Sequence, residues 1–257
     1  MRMGQKMQTA LPLSDRRNAC QSANQPNRRD RKMPKSVYVF DAYGTLFDVN
    51  SAARLASTEP DHTALATHWP VVAANWRRKQ LEYSWLRAVS NRHCDFWQVT
   101  QDGLDWALEA AGLDNPATRE RLLALYWELA AYPEVPQMLA TLQARGARTA
   151  ILSNGSPDML NAAIHSARVA EFLDGILSVE TVGVFKPHDR VYDLVEEHFD
   201  CTKSEVLFVS SNGWDAAGAS GYGFDTAWVN RAGDPVDKLY ATPTHILTDL
   251  TAIPELP

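Results

Sequence analysis

Short apolar runs alternate with longer mixed segments along most of the chain, and this pattern predicts its elements. The run Val37–Phe40 is the first, and Gly44 follows it closely. Runs of this length beside glycine and polar residues are typical of buried strands. Helical patterns lie between the later runs, at 136–145, after Pro157 and at 189–199, as βαβ units require. We therefore predict an α/β, doubly wound (Rossmann-like) parallel sheet, with further strands at 147–152, 175–179, 205–210, 225–229 and 245–248.

Residues 49–134 break this alternation. They contain helical periods and few strand candidates, which predicts a helical cap domain inserted into a core formed by residues 36–48 and 135–257. Gly112 predicts the end of a helix over 104–111, and Asn115 with Pro116 predicts the start of another over 117–131. The first cap helix is marked by apolar residues that fall mostly on one face: Trp76, Leu81, Trp85, Leu86 and Val89.

Residues 1–35 have a composition unlike the rest of the chain. They hold nine Lys or Arg against two Asp, and few residues that could form a core, so we predict a disordered leader. Met33 lies just before the first strand, in the position of a natural start. A misassigned start, an added extension and a basic binding arm are the open interpretations of the leader.

Charge and composition narrow the classes of partner. The net charge is −6, and residues 36–257 alone carry 16 basic and 29 acidic residues, which disfavours binding to nucleic acid or anionic membranes. An apolar run long enough to span a bilayer and a secretory signal are both absent from the sequence, so we expect a cytoplasmic protein. The three cysteines are far apart and predict neither a disulfide framework nor a zinc site.

Four polar segments follow apolar runs or precede helices, where parallel sheets place reactive groups. They carry Asp41, Ser153 with Asn154, Lys186 and Asp215. An acid at the end of a strand suits a nucleophile, and a lysine nearby keeps it ionised. Each segment alone also has a plain structural interpretation as a helix cap, a turn or a solvated lysine. Their combination in this order favours chemistry.

The motifs resemble those of the haloacid dehalogenase superfamily. The string Asp41-Ala42-Tyr43-Gly44-Thr45-Leu46-Phe47-Asp48 resembles its first motif, and Asn75–Arg87 resembles the arginine-bearing cap helix of one family, the L-2-haloacid dehalogenases. Leu152–Pro157, Lys186-Pro187 with Arg190–Tyr192, and Ser210–Asp215 are similar to its later motifs. The resemblance implies hydrolysis of short L-2-haloacids to D-2-hydroxy acids and halide through an aspartyl ester, with inversion at C2 and without metal or cofactor.

The resemblance also implies a role for each matching residue. Asp41 is the expected nucleophile and Asp215 the base that activates water. The expected halide cradle is Arg77, Asn154 and Trp214, and Ser153 is expected to hold the substrate carboxylate. Lys186, Thr45, Ser210 and Asn212 are expected to order Asp41, and Tyr192 matches a further site position. The substrate pocket implied by the resemblance contains Ala42, Tyr43, Leu81, Phe96 and Trp214.

Two departures and two alternatives stay open at this point. Arg78 stands where Gln is frequent in the family, and Ala42 where Leu is common. A magnesium phosphatase of the same superfamily usually has a second Asp two residues after the nucleophile, where this chain has Tyr43. The other alternative is a catalytically inactive interaction protein. The expected partners are the haloacid, water, the halide product and, in a homodimer, a second copy of the chain.

Overall fold

The computed structural model describes residues 35–113 and 115–257. Its sheet is six-stranded and parallel, in the order β3-β2-β1-β4-β5-β6. The predicted doubly wound α/β fold is confirmed, and each predicted strand is present within two residues of its expected ends. The strands are β1 (Val37–Phe40), β2 (Arg148–Ser153), β3 (Gly175–Ser178), β4 (Val206–Ser210), β5 (Asp225–Val229) and β6 (His245–Leu247).

The central strands explain why the apolar runs were easy to recognise. Every residue of β1 and β4 is buried, because helices cover both faces of a parallel sheet. Phe40, the last residue of β1, is in register with Ile151 of β2 and Val209 of β4. The carboxyl ends of these three strands therefore lie side by side. The strand order reverses between β1 and β4, which is where open α/β sheets form their ligand crevice.

Eight α-helices surround or extend the sheet in the described part of the chain. Four of them, α5 to α8, follow the strand pattern, and the other four lie between β1 and α5. The helices are α1 (Ser51–Ala56), α2 (Trp69–Ser90), α3 (Phe96–Ala110), α4 (Pro116–Tyr126), α5 (Val135–Ala144), α6 (Pro157–Ala167), α7 (Asp189–Phe199) and α8 (Gly213–Tyr222). None of them combines the length and the apolar run that a bilayer crossing requires.

Helices α1 to α4 form the helical insertion. Its longest helix, α2, packs on α3, and the two are joined by buried hydrogen bonds. Trp76 Nε1 donates to the Thr100 carbonyl (2.8 Å), and Gln80 Nε2 donates to Thr100 Oγ1 (3.0 Å) and to the Tyr126 hydroxyl (3.0 Å). These bonds satisfy polar groups within an otherwise apolar insertion core, as buried polar groups require. The division into cap and core at residues 49 and 134 stays a prediction.

Several predicted helix ends are wrong. The helix expected over 104–111 begins at Phe96, because the Asp95 carboxylate accepts from the backbone N–H of Trp97 (2.6 Å) and caps the start. The helix expected to reach residue 131 ends at Tyr126. Its predicted start is confirmed, since Asn115 Oδ1 accepts from Ala117 N (2.9 Å). The predicted disorder of the leader lies, apart from Lys35, outside the described residues.

Two linkers join the helical insertion to the sheet, and they are bonded to each other. We call residues 46–48 and 130–132 the crossing linkers. Asp48 N donates to the Ala130 carbonyl (2.9 Å), and Tyr132 N donates to the Leu46 carbonyl (2.9 Å). The departing and returning segments therefore form one short, paired connection beside the end of β1.

Candidate active site

Asp41 begins a tight turn at the end of β1. The strand ends at Phe40, yet Asp41 N still donates to the Val209 carbonyl (2.8 Å) and continues the ladder. Gly44 has φ +88° and donates its N–H to the Phe47 carbonyl (2.7 Å). A side chain is disfavoured at this φ, so glycine is required for the turn. We call residues 41–47 the catalytic turn.

Three side chains hold the Asp41 carboxylate. Lys186 Nζ lies 3.1 Å from Oδ1, while Thr45 Oγ1 (3.0 Å) and Asn212 Nδ2 (2.9 Å) donate to Oδ2. Asp41 is buried, and the side chain of Lys186 is 1% exposed. These three residues are the ones that the motifs predict around the nucleophile. Their convergence fixes the orientation of the carboxylate.

Lys186 also binds a second buried acid, Asp215. Its Nζ donates to Asp215 Oδ2 (2.9 Å), and the Tyr192 hydroxyl donates to Asp215 Oδ1 (2.8 Å). Burial raises the pKa of Asp215; the charge of Lys186 opposes this, and the charge of Asp41 adds to it. Burial lowers the pKa of Lys186, but the charges of Asp215 and Asp41 together outweigh burial and leave it raised. The lysine is therefore a charged link between the two acids.

A small inner cavity lies in front of Asp41. Its volume is about 10 Å³, enough for about one water molecule. Helix α2 contributes Arg77 and Leu81 to the cavity lining; the two are four residues apart and so lie on one helix face. Its lining consists of Asp41, Tyr43, Arg77, Leu81, Phe96, Ser153, Asn154, Asn212 and Trp214.

Arg77 reaches from the helical insertion to the carboxyl ends of the strands. Its Nη2 donates to Asn212 Oδ1 (3.1 Å) and to the Tyr43 carbonyl (3.3 Å). A guanidinium has five N–H donors, so others stay available for an anion in the cavity. Trp214 Nε1 is a further buried donor at this wall without a hydrogen-bond partner among the described residues.

The loop after β2 supplies the other side of the cavity. Ser153 Oγ accepts from Gly155 N (3.1 Å), which leaves its hydroxyl hydrogen free to donate. Asn154 Oδ1 accepts from Lys186 N (3.0 Å) and so aligns the lysine segment with this loop. The Tyr43 ring packs directly on Gly155, where a Cβ would lie 2.7 Å from Tyr43 Cε2.

Tyr43 has a hydroxyl that is buried and has no hydrogen-bond partner within the described residues. Its ring stacks on Tyr126 and contacts Phe96, with centroids 5.6 and 6.1 Å away. Burial raises the pKa of Tyr43 well above its ordinary value, and the neighbouring Tyr126 and Asp41 add to this. The ring therefore provides a neutral, mainly apolar wall beside the Asp41 carboxylate.

Two predicted residues have contacts other than those expected. Ser210 was expected to order Asp41; its Oγ accepts from Asn212 N (3.1 Å), so Ser210 acts on the segment that carries Asn212. Ala42 is fully buried, and its carbonyl accepts from Leu46 N (2.9 Å) and Phe47 N (3.0 Å) within the catalytic turn.

Sequence reasoning missed Ser211 and Glu180. Ser211 N donates to Thr45 Oγ1 (2.8 Å) and so orients the threonine that holds Asp41. Glu180 Oε1 accepts from Phe96 N (3.3 Å), and Oε2 lies 2.9 Å from His93 Nε2, so Glu180 ties the helical insertion to the core. Ser211 lies within the recognised motif Ser210–Asp215, and this position could have indicated its role. Glu180 lies outside every recognised motif, so no sequence signal indicated its role.

An outer cavity of about 740 Å³ adjoins the inner one. Arg77, Leu81, Asn212 and Trp214 line both cavities and separate them. The outer cavity continues along the loop after β5, including Arg231 and Lys238. It provides the adjacent space through which a small molecule can reach the inner cavity.

The donor set around Asp41 does not fit a divalent cation. Both oxygens of Asp41 and both of Asp215 accept hydrogen bonds, and the Lys186 ammonium lies between the two acids. Within the described residues no group of three or more His, Cys, Asp and Glu side chains is suitably placed for a metal. Magnesium requires clustered oxygen ligands in near-octahedral geometry.

The paired acids predict a pH-dependent effect of Lys186→Met. Removing the cation leaves two buried carboxylates without compensation, so we expect a loss of about 3–5 kcal/mol in the free energy of unfolding at pH 8. The loss in the free energy of unfolding is smaller at pH 5. Without Lys186 the already raised pKa of Asp215 rises further, so in the folded variant the Asp215 carboxyl takes up a proton at this pH. Urea unfolding of variant and wild type at both pH values measures this.

The double variant Lys186→Met/Asp215→Asn is the matched control for this prediction. It removes one of the two uncompensated charges, so it recovers part of the loss at pH 8. Equal losses at pH 5 and pH 8 for the single variant would instead assign the effect to packing of the lysine stem.

Comparisons with known proteins agree with this geometry. A family model described as haloacid dehalogenase-like hydrolase matches residues 35–223. The (S)-2-haloacid dehalogenase 1 of Pseudomonas sp. (strain CBS-3) is 42% identical over 224 residues, covering 87% of this chain and 96% of the relative. The (S)-2-haloacid dehalogenase of Pseudomonas sp. (strain YL) is 44% identical over 218 residues, covering 84% and 92%.

A solved structure shows the same likeness in three dimensions. It is that of the L-2-haloacid dehalogenase from Xanthobacter autotrophicus with chloropropionic acid covalently bound, which is 38% identical with a TM-score of 0.77. The match covers 86% of this chain and 98% of that one. Since the family model and these relatives span most of the sequence, the resemblance seen in the motifs is confirmed, and the chain belongs to the haloacid dehalogenase-like hydrolases.

Proposed function

We propose that this protein is an L-2-haloacid dehalogenase that converts short L-2-haloalkanoic acids into D-2-hydroxy acids and halide. One observation carries the proposal: the Asp41 carboxylate, held by Lys186, Thr45 and Asn212, lines the same small cavity as Arg77. A nucleophile and a cation in one cavity suit displacement of an anionic leaving group. The names of the relatives support this assignment.

In the first step a carboxylate oxygen of Asp41 attacks C2 of the haloacid. A C–O bond forms as the C–halogen bond breaks, and the halogen leaves with the bonding electron pair. Attack from the side opposite the halogen inverts C2 and leaves an ester on Asp41. The covalently bound chloropropionic acid in the Xanthobacter autotrophicus relative supports an intermediate of this kind.

The halide leaves toward Arg77, Asn154 and Trp214, all of which line the inner cavity. Negative charge grows on the halogen only as the bond breaks, so fixed donors there stabilise the transition state more than the substrate. The free N–H groups of Arg77 and the unpaired Trp214 Nε1 suit this role. Ser153 and the backbone N–H groups of its loop then hold the substrate carboxylate.

In the second step water attacks the carbonyl carbon of the Asp41 ester. Asp215 accepts the proton of that water, and cleavage of the ester releases the hydroxy acid and restores Asp41. Both oxygens of Asp215 are oriented, by Lys186 and by Tyr192. Burial raises the pKa of Asp215 toward the operating pH, which strengthens it as a base.

Access to the site requires movement. A cavity of about 10 Å³ is smaller than any haloacid, so the wall shared with the outer cavity opens before substrate binds. We propose that residues 49–134 act as a cap domain whose displacement opens this wall. Arg77 and Leu81, which belong to the helical insertion, would then leave and rejoin the site in each cycle.

Two further properties belong to the proposal. Leu86 and Val89 on α2 are 65% and 85% exposed, and an apolar surface of this kind suits a homodimer. Hydrolysis of a small, charged, water-soluble substrate agrees with a cytoplasmic location. The competing magnesium phosphatase is disfavoured by the mismatch of the donor set, and an inactive protein by the intact contacts among Asp41, Lys186 and Asp215.

The proposal predicts halide release from L-2-chloropropionate in the presence of EDTA. Chloride appears in step with D-lactate, and Asp41→Ala abolishes both while circular dichroism shows an unchanged fold. Ion chromatography and chiral chromatography measure the two products. Phosphate release from an aryl phosphate that depends on Mg²⁺, without chloride release, would establish the phosphatase instead.

Asp215→Asn is expected to trap the ester. Without the base, hydrolysis slows by about 10²-fold or more, whereas attack by Asp41 is less affected. Mass spectrometry of a protease digest then shows the peptide containing Asp41 heavier by the substrate without its halogen. A digest with unmodified Asp41 during slow turnover would contradict this role of Asp215.

The rate of ester hydrolysis should fall in acid, because Asp215 accepts a proton only when ionised. Burial raises its pKa, so the acid limb lies above the ordinary value of 3.8. Tyr192→Phe removes a hydrogen bond that lowers this pKa and should move the limb to higher pH. Single-turnover rates of ester hydrolysis across the acid range locate the acid limb of wild type and of Tyr192→Phe. A limb at lower pH in Tyr192→Phe would contradict the role of Asp215 as the base.

A further inference from the structure

Arg231 lies where three parts of the molecule meet. It follows β5, and its Nη2 donates to the Thr45 carbonyl in the catalytic turn (3.2 Å). The same nitrogen lies 2.7 Å from Glu134 Oε1, just before α5, and the guanidinium carbon lies 3.7 Å from the centroid of the Tyr132 ring. Loop, catalytic turn and crossing linker are therefore held by one side chain.

The environment of Arg231 differs from that of a solvated surface arginine. The side chains of Arg231 and Glu134 are only 23% and 20% exposed, so their ion pair is partly shielded from water. Nε of Arg231 is buried without a hydrogen-bond partner in the described part of the chain. Loss of hydration at a charged N–H is unfavourable, which implies that the other contacts determine its position.

The contact with Thr45 leads to the nucleophile in one step. The Thr45 carbonyl accepts from Arg231, while its hydroxyl donates to Asp41 Oδ2 (3.0 Å). Backbone and side chain of Thr45 share one Cα, so fixing the peptide limits where the hydroxyl can point. Arg231 does not line the inner cavity, which separates this effect from direct contact with substrate.

Tyr132 connects the same arginine to the helical insertion. Its ring lies under the guanidinium, and its N–H is one of the two that pair the crossing linkers. A cation over an aromatic face is attracted by the ring, and more strongly where water is excluded. Arg231 thus contacts Tyr132 in the crossing linkers, about which the insertion would move, and donates to Thr45 in the catalytic turn.

From these contacts we propose that Arg231 is a positioning residue: it fixes the backbone of Thr45, and through its hydroxyl the Asp41 carboxylate, against the crossing linkers. Closure of the helical insertion and alignment of the nucleophile are thereby coupled. The kinetic part of this proposal rests on the proposed dehalogenase function. Its structural part concerns the linkers alone.

The kinetic test compares Arg231→Gln with wild type on L-2-chloropropionate. We expect kcat to fall about 10–100-fold with KM within about twofold, because the interaction acts on the chemical step and not on substrate binding. Arg231→Lys keeps the positive charge beside Glu134, but its side chain is shorter and lacks the planar set of N–H donors. We expect this variant to recover part of the kcat lost in Arg231→Gln. A higher KM with unchanged kcat would overturn the proposal in favour of a cation that recruits substrate, and unchanged values of both would overturn it outright.

Two controls separate positioning from general loss of stability. Arg121→Gln breaks a comparable ion pair, with Glu59 inside the helical insertion, and leaves kcat unchanged. Thr45→Ala combined with Arg231→Gln is no slower than Thr45→Ala alone, because both changes remove the same constraint. Additive losses in the double variant would show that Arg231 does not act through Thr45.

Hydrogen exchange tests the structural part without any assay of activity. In Arg231→Gln the amides of Asp48 and Tyr132 exchange about tenfold faster than in wild type, and in Arg121→Gln they do not. Unchanged exchange in Arg231→Gln overturns the coupling whether or not the protein is a dehalogenase. Absence of halide release by wild type, with the faster exchange, would reject the proposed function and leave the coupling supported. If Arg231→Gln does not fold, Arg231→Lys takes its place, with intermediate exchange expected.

Discussion

The buried ammonium of Lys186, shared by Asp41 and Asp215, is the interaction on which the site depends. Two carboxylates this deep in a protein repel each other and lose their hydration, and both effects favour protonation. One lysine between them forms an ion pair with both the proposed nucleophile and the proposed base. It can compensate only one of the two negative charges, so hydroxyl and amide donors from Thr45, Asn212 and Tyr192 must supply the rest.

This electrostatic requirement explains the position of the site in the fold. Asp41 directly follows β1, and Asp215 lies in the first turn of α8, which follows β4. The strands β1 and β4 are neighbours at the reversal of strand order. Lys186 comes from the segment before α7 and reaches both acids from one side. In a parallel sheet the carboxyl ends of neighbouring strands share one edge, so a single cation can serve residues that are 174 positions apart in the sequence.

The sequence predicted the sheet because its strands depend on local signals, whereas most of the side chains in the site were predicted from the resemblance of the motifs. Apolar runs mark strands buried on both faces, and the polar residues that follow them mark the strand ends. Helices were less predictable. The start of α3 is set by the Asp95 cap, which the apolar pattern does not reveal. Helix α8 consists mostly of small residues, so it has no clear apolar pattern. The contacts of Glu180 and Arg231 described above are with residues far away in the chain, so no local sequence pattern indicates their roles.

The charges also show why the helical insertion is needed for anionic substrates. Asp41, Asp215 and Lys186 together carry one net negative charge, which repels a carboxylate. Arg77 is the cation that brings the inner cavity to neutrality, and it belongs to the insertion. If the insertion moves as proposed, a haloacid that enters with it displaced meets a negative site, and one enclosed with Arg77 meets a neutral one. Charges interact more strongly when water is excluded, so closure and substrate binding would then favour each other. The paired crossing linkers on one side and the Glu180 contacts on the other hold the closed arrangement that this coupling requires.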